Sequence, residues 1–440
     1  MRIAIINQYS SAGGGSRFAR ALVAGLAQAE PVSSFDLFAD ARAVHRDGLV
    51  DLFAVYPNVR ILPLDGGAIV DVEQATGNSL VRAARDWAVQ QGPILRAYRW
   101  AKVNILRRPL ATPSLRLPPE TLRVLDTYDV VYLAWPYSIE PFEVDVPVVA
   151  TFHDFNFKHE FGNYSPELRE NTERDMRGWL ATSVQPVSST QFIADELCHY
   201  YPDHVREPQV VFLSTFAVHD PSRAQVTSVQ AKFSLPSGYL VCPSNTSPHK
   251  NLAGLLRALG KLKREGQRIP LVLTGFGTDD LNRLAAGNRE LRALYQATFD
   301  LHDVRIEEGL KLGEDVFALG FVSDLEMDAL IRGASAVIAP SRYEAGSGPA
   351  LDAWKLGTLV ISSNIPPVLE QMEYLHTCAY LFDPDDPAQM ADVILAAVAD
   401  DEAASAMVIE SLEGMAAYTW VDVASGYLEV FRDVSSRRAR

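Results

Sequence analysis

The chain has 440 residues, 48% of them hydrophobic and 22% charged, and a net charge of −15. That apolar content is ample for buried cores, and at roughly 150–250 residues per domain the length suggests two domains, which excludes a disordered or fibrous protein. The acidic balance argues against nucleic acid as a partner, because phosphate binding needs a basic footprint and counterion release.

Cys198, Cys242 and Cys378 are few, odd in number and scattered, which points to a reducing compartment and to small buried side chains. No apolar run approaches the roughly 18–20 residues that a membrane-spanning helix requires. These features predict a soluble, cytoplasmic protein. The opening Met1-Arg2-Ile3-Ala4-Ile5-Ile6-Asn7 is too short for the apolar core of a signal peptide and reads as a first strand.

In chain order, short β-branched runs alternate with helical patterns, the signature of parallel sheets with crossover helices. The first strand is followed by the glycine turn Gly13-Gly14-Gly15 and by Ser16, an N-cap for a helix over 17–28. Further strands are predicted at 59–64, 129–134, 146–152, 184–187 and 209–212. The stretch 218–237 is polar, poor in periodicity and bounded by Pro221 and Pro236, which marks an interdomain linker at 221–236. The alternation then restarts with strands at 239–242, 271–274, 316–320, 336–339 and 359–362 and helices at 252–265 and 324–332. A last helix, 421–434, carries Val423, Tyr427, Leu428 and Phe431 on one face. It is expected to cross back onto the N-terminal domain. The expected layout is therefore an N-terminal domain over 1–220, the linker, a C-terminal domain over 237–418, and the crossing helix at 419–440.

One region departs from the acidic background. Between residues 96 and 123 stand Arg96, Arg99, Lys102, Arg107, Arg108, Arg116 and Arg123 against the single acid Glu120, interleaved with Trp100, Ile105, Leu106 and Leu110. Such a segment is either a solvated helix face or a contact for an acceptor or an anionic membrane surface, where each charge is worth about 1 kcal/mol.

Three elements carry candidate chemistry. The glycine turn at 13–15 lets backbone N–H groups and a helix N-terminus approach an anion, although it lacks the dinucleotide fingerprint and is equally a tight strand–helix turn. The segment Asn245-Thr246-Ser247-Pro248-His249-Lys250-Asn251 puts a lysine between a strand end and a helix start, where ligands bind in open α/β sheets. It can neutralise a diphosphate there, or be an exposed loop lysine. In Glu344-Ala345-Gly346-Ser347-Gly348-Pro349-Ala350-Leu351-Asp352, the glycines free the backbone to approach a ligand and Pro349 starts a helix. Glu344 and Asp352 put two carboxylates around one rim, suited to sugar diols. Asp352 is also explained by the helix dipole alone.

Taken together, the glycine turn, Thr151-Phe152-His153-Asp154, Lys250-Asn251, Gly320-Phe321-Val322-Ser323-Asp324 and the Glu344–Asp352 stretch resemble the retaining glycosyltransferases of the GT-B fold, family 4 (glycosyl transferases group 1). The likeness covers nearly the whole chain, in the family's order, and is strongest from about 239 to 397. It implies an α/β fold of two Rossmann-like domains whose parallel sheets face a central cleft. It further implies transfer of a hexose from a nucleoside-diphosphate sugar to a glycan or lipid-linked glycan, with retention of anomeric configuration. Lys250 then contacts the donor diphosphate, Glu344 holds the transferred sugar, and Asp352 holds the ribose diol. Ser347 and Gly348 meet sugar hydroxyls or phosphate through backbone amides, and Gly14 and Gly15 face the diphosphate. His153 lies near the sugar and the acceptor with Asp154 beside it, though His153 also reads as a structural histidine at a strand end. Arg99 and Lys102 fall on the acceptor side, in keeping with a peripheral contact at the inner membrane. Glu370 matches a further family glutamate that positions its loop.

The Lys-Asn pair and the Gly-Ser-Gly-Pro loop point toward GDP-mannose or a related hexose donor. Three departures bear on activity: Asn245 stands where relatives carry an arginine, Asp352 stands for a glutamate, and Ala345 replaces a glycine. A non-catalytic partner subunit and a nucleotide-sugar epimerase of the same fold therefore remain as alternatives. No metal or other cofactor is expected, since the acidic run Asp383-Pro384-Asp385-Asp386-Pro387 reads as a helix-capping turn.

Overall fold

A computed structural model describes residues 1–8, 13–64, 114–159, 166–182, 184–203, 206–287 and 296–438. The N-terminal sheet contains β1 (Arg2–Asn7), β2 (Ser34–Ala39), β3 (Val59–Pro63), β4 (Val130–Leu133), β5 (Val148–Thr151), β6 (Gln185–Ser188) and β7 (Gln209–Val210), in the spatial order β3-β2-β1-β4-β5-β6-β7. The C-terminal sheet contains β8 (Leu240–Pro243), β9 (Leu271–Thr274), β10 (Val316–Gly320), β11 (Ala336–Ala339), β12 (Val360–Ser363) and β13 (Tyr380–Phe382), in the order β10-β9-β8-β11-β12-β13. Every described strand pairing is parallel. Such strands are covered on both faces and so read as continuous apolar runs, as in Ile3-Ala4-Ile5-Ile6 and Leu271-Val272-Leu273, all essentially unexposed.

Both sheets reverse direction once, between β1 and β4 and between β8 and β11. At such a reversal the following loops splay apart and open a crevice at the C-terminal ends of the strands. The glycine turn follows β1 and the Lys250 loop follows β8, while the Glu344 loop follows β11. The fold therefore delivers the candidate residues to the two crevices.

The C-terminal helix Trp420–Arg438 does cross back. It lies along α1 (Gly14–Ala29) and inserts Tyr427 and Phe431 against Tyr132 of β4, with ring centroids 5.4 and 5.5 Å away. Tyr427 and Tyr132 share the Thr151 hydroxyl at 2.8 and 2.6 Å. On the α1 side Phe18, Leu22, Val23 and Leu26 are buried, the spacing of a core-facing helix stripe.

Two expectations are corrected. The segment read as linker contains the helix Arg223–Lys232, opened by a Ser222–Gln225 capping box and tied to the helix Asp324–Arg332 by Lys232 and Glu326. It belongs to the C-terminal domain, and it read as linker because Val229 is its single buried residue. The chain crosses between domains at 214–219 instead. Likewise α1 begins at Gly14, capped by Gly13 without a side-chain bond, while the Ser16 hydroxyl donates to Asp47 rather than capping the helix.

Gly25 records how tightly the C-terminal helix is seated: a Cβ there would lie 2.3 Å from the Trp420 carbonyl oxygen. Backbone on both sides leaves little room to yield, so Gly25→Ala is expected to destabilise by roughly 1–3 kcal/mol. A thermal midpoint equal to that of the wild type would show that this helix is not held against α1.

Candidate active site

The β8 and β11 loops are joined by a backbone bond from the Arg342 N–H to the His249 carbonyl, 2.8 Å. Lys250, in a 3-10 turn over Pro248–Lys250, then reaches Glu344: Nζ donates to Oε1 at 2.7 Å. The same oxygen accepts from Ser341 Oγ at 2.6 Å. Both charged side chains keep partial solvent access, 20% for Lys250 and 14% for Glu344. A charge pair that is fixed by neighbours yet open to the crevice can exchange its partners for those of a ligand.

From the N-terminal domain, Asp154 contributes to the same field. Burial raises its carboxyl pKa to about 6, with Lys250 opposing and Glu344 adding to the rise. One of its oxygens accepts from the Asn156 N–H at 3.0 Å. Asn156 in turn spans the crevice to His249, with Nδ2 and Nδ1 2.9 Å apart. Burial and the adjacent Lys250 lower the His249 pKa to about 3, so that ring is neutral.

His153 is structural in its contacts. Its ring is stacked on Trp135 at 4.4 Å and meets the edge of Phe18 at 4.5 Å, and Nε2 lies 3.0 Å from the Ala134 carbonyl. That bond requires the proton on Nε2. Burial drives its pKa down to about 3, so it is a neutral donor across the ordinary pH range.

Asp352, expected to hold a ribose diol, is engaged by other partners in this structure. It is 1% exposed. Its Oδ1 accepts from Thr215 Oγ1 at 3.0 Å and from the Phe216 N–H at 2.6 Å, and its Oδ2 pairs with Arg17 at 3.1 Å. Thr215 and Phe216 belong to the crossing between domains, and Arg17 belongs to α1, so in this arrangement Asp352 is a hinge residue. Asp328 completes the clamp by accepting from the His219 N–H and ring Nδ1, both at 3.0 Å; burial raises its pKa. Arg17 was not singled out from the sequence, although a signal existed. Arg17 and Arg20 stand in the first two turns of a helix that has no acid in its first turn, an unfavourable site for cations; they reach instead to Asp352 and to Asp324.

The remaining expected residues shape loops. Asn245 Oδ1 accepts from the Ser247 N–H at 2.9 Å, bending the Lys250 loop. The Ser347 N–H donates to Gln371 Oε1 at 2.8 Å and the residue is buried, so that amide is engaged within the domain. A Cβ at Gly346 would come 2.9 Å from Gln371 Nε2, so the site is tight there, whereas one at Gly348 would meet the Phe216 ring at an ordinary contact distance of 3.4 Å. Pro349 stands in the first turn of the helix Gly348–Leu356 as expected. Gly13 and Gly14 are exposed at the start of α1, with Gly15 in its first turn. Glu370 accepts from the Phe192 N–H at 2.9 Å across the domains. Arg99 and Lys102 lie outside the described residues.

Two half-exposed aromatics were also missed. Phe276 and Phe321 follow β9 and β10, are 51% and 58% exposed, and stand 6.3 Å apart. Gly275, Gly277 and Gly320, all at positive φ, bend these loops. The clue lay in aromatics set among glycines at strand ends. The acidic run after β13 does cap a helix: Asp386 accepts from the Ala388 and Gln389 N–H groups, and Asp385 pairs with Arg342. Among the described residues no group of three His, Cys, Asp or Glu side chains is placed to hold a metal ion. No described helix is long and apolar enough to cross a membrane.

Two parallel Rossmann-like sheets whose first six strands run in the order 3-2-1-4-5-6, with a seventh strand added in the N-terminal sheet, face each other and are clasped by a returning C-terminal helix, which defines the GT-B architecture. Residues 229–413 match the family described as glycosyl transferases group 1. The chain is 24% identical over 335 residues to the O-antigen chain mannosyltransferase B of Escherichia coli, covering 74% of this chain and 81% of that protein. It is 26% identical over 220 residues to the serotype-specific mannosyltransferase WbdA of E. coli, covering 49% of this chain but only 24% of WbdA. Among solved structures, that of Anabaena Alr3699/HepE in complex with UDP-glucose superposes with a TM-score of 0.65 at 15% identity, covering 98% of this chain and all of that one. WaaG, a glycosyltransferase involved in lipopolysaccharide biosynthesis, gives 0.57 at 11%, covering 98% and 99%.

Removing one member of a buried ion pair costs roughly 3–5 kcal/mol, less where one partner is partly exposed as Arg17 is. Arg17→Ala and Asp352→Asn are each expected to lower the thermal midpoint by about 5 °C, and the double variant no more than the worse single. Additive losses would show that the two side chains do not act as one hinge contact.

Proposed function

We propose that the protein transfers a hexose from a nucleoside-diphosphate sugar to a glycan acceptor with retention of anomeric configuration. The observation that carries this reading is the Lys250–Glu344 pair at the switch point of the C-terminal sheet, partly open to the crevice. A lysine there neutralises a diphosphate, and a carboxylate beside it accepts from sugar hydroxyls. When a donor enters, Lys250 exchanges Glu344 for phosphate oxygens, and the freed carboxylate turns to the sugar. Charge that builds on the leaving diphosphate is then met by a preorganised cation, usually the largest electrostatic contribution to catalysis. The uncapped start of α1 adds N–H groups from the facing domain. On this reading Lys250 and the helix end take the place of a divalent metal.

Retention is assigned to front-face displacement, in which the departing phosphate oxygen takes the acceptor proton. His153 does not take it, because its Nε2 proton is committed to Ala134 and the ring stays neutral. Asp154 is suited to orient the acceptor hydroxyl. For Asp352 to receive a ribose diol, Arg17 has to leave it. Phe276 and Phe321 offer apolar rings to a base. Both E. coli relatives are named as mannosyltransferases, one of them of the O-antigen chain, and this supports mannose, and hence GDP-mannose, over the UDP-glucose bound by Alr3699/HepE. The basic 96–123 stretch fits an acceptor presented at the cytoplasmic membrane face.

Incubation with GDP-mannose and an O-antigen-type oligosaccharide is expected to give an α-mannosyl linkage by NMR; a β linkage excludes retention, and donor epimerised without acceptor, or bound without turnover, excludes transfer. Lys250→Ala and Glu344→Gln should each lower kcat by roughly 10²–10³.

The Asp154 pKa is raised to about 6, so the carboxylate forms only as pH rises through that value. If the ionised group orients the acceptor, kcat/KM climbs through about pH 6. Asp154→Asn is expected to be slow at every pH and to lose that limb, and a variant that keeps the limb would remove Asp154 from this role.

A further inference from the structure

Glu344 is bracketed by two residues that do not belong, by their contacts, to its own domain. Tyr343 is 4% exposed and lies in the apolar cluster of the N-terminal domain with Phe155, Phe157, Ile193, Leu197 and Tyr201. Its hydroxyl accepts from the Phe155 N–H at 2.7 Å and donates to the Glu196 carboxylate. Glu196 is itself held by His159 Nε2 at 2.8 Å, and the His159 ring is 4.6 Å from that of Tyr343. On the other flank the Ala345 carbonyl accepts from Ser189 Oγ at 2.8 Å and from Thr190 Oγ1 at 3.5 Å. Between these anchors Glu344 turns back into its own domain, to Lys250 and Ser341.

A residue fixed on both sides has little freedom of its own, so wherever the N-terminal anchors sit determines where the Glu344 carboxylate points. We propose that Tyr343 is a positioning residue, which docks into the N-terminal domain on closure and thereby aligns Glu344 for reaction. This rests on the reading of Glu344 as the group that meets the transferred sugar. Opening the domains withdraws Tyr343 from its seat and frees the tripeptide; closing them restores the alignment. Domain closure and assembly of the reacting carboxylate thus become one event. The donor diphosphate, by contrast, is gripped by Lys250 from within the C-terminal domain and is bound with or without this alignment.

The hydroxyl provides the test, because Tyr343→Phe keeps the ring in place and removes both bonds. In the full-length protein with GDP-mannose and an oligosaccharide acceptor, Tyr343→Phe is expected to lower kcat about tenfold, the scale of a modest misplacement of a reacting group. Donor KM should stay within about twofold, since the diphosphate grip is untouched. Glu196→Gln should behave alike, and the double variant should be no slower than the slower single. Hydrogen exchange, which needs no turnover, is expected to run faster in Tyr343→Phe over peptides 153–158 and 189–196. An unchanged kcat overturns the proposal whatever the exchange shows, and so does a rise in KM at constant kcat. If the wild type transfers no sugar, the proposed function fails while the exchange measurement still reports whether the hydroxyl holds the dock: unchanged exchange overturns the docking as well.

Discussion

The geometry of the candidate site depends on one ion pair, Lys250 with Glu344, made between loops that follow different strands of the same sheet. Neither residue is placed by local sequence alone. Lys250 is delivered by a 3-10 turn pinned between Asn245 and an αL Asn251 whose amide donates to the Pro384 carbonyl. Glu344 is delivered by the loop after β11, whose backbone bonds to the Lys250 turn. The pair marks the switch point of the sheet, where α/β folds leave room for a ligand, and its partial exposure separates it from the buried pairs that only hold the molecule together.

Around that pair the two domains are tied at several separate places. Arg17 and Asp352 fasten the hinge, Tyr343 and Ala345 dock on either side of Glu344, Asn156 meets His249 over the crevice, and Glu370 caps the helix Gln191–Tyr200 of the other domain. Each is a modest interaction by itself. Because Tyr343, Ala345, Asn156 and His249 stand beside Glu344, Asp154 and Lys250 in the chain, a change in the angle between domains is felt at the site.

Much of this was legible in the sequence, and for physical reasons. The buried parallel strands at 271–274, 316–320 and 336–339 and the helix at 324–332 fall where apolar runs and helical patterns place them. Lys250 and Glu344 were singled out and do meet. What escaped was governed by contacts distant in sequence. β2 was missed because Asp36 interrupts its apolar run; that carboxylate is fully buried against Arg60 and Tyr128. The helix over 223–232 was hidden by its polar surface. For Asp352, spacing cannot reveal the pairing with Arg17, 335 positions earlier in the chain, that this structure shows. Tyr343 was not singled out, because only the facing domain shows whose core it enters.

The account is tested most directly by a crystal structure of the protein with a non-hydrolysable GDP-mannose analogue. It expects Lys250 Nζ within about 3 Å of a phosphate oxygen, Glu344 released from it and hydrogen-bonded to the hexose, and Tyr343 still seated beside Glu196. A nucleotide bound elsewhere, with the Lys250–Glu344 pair intact, would contradict it.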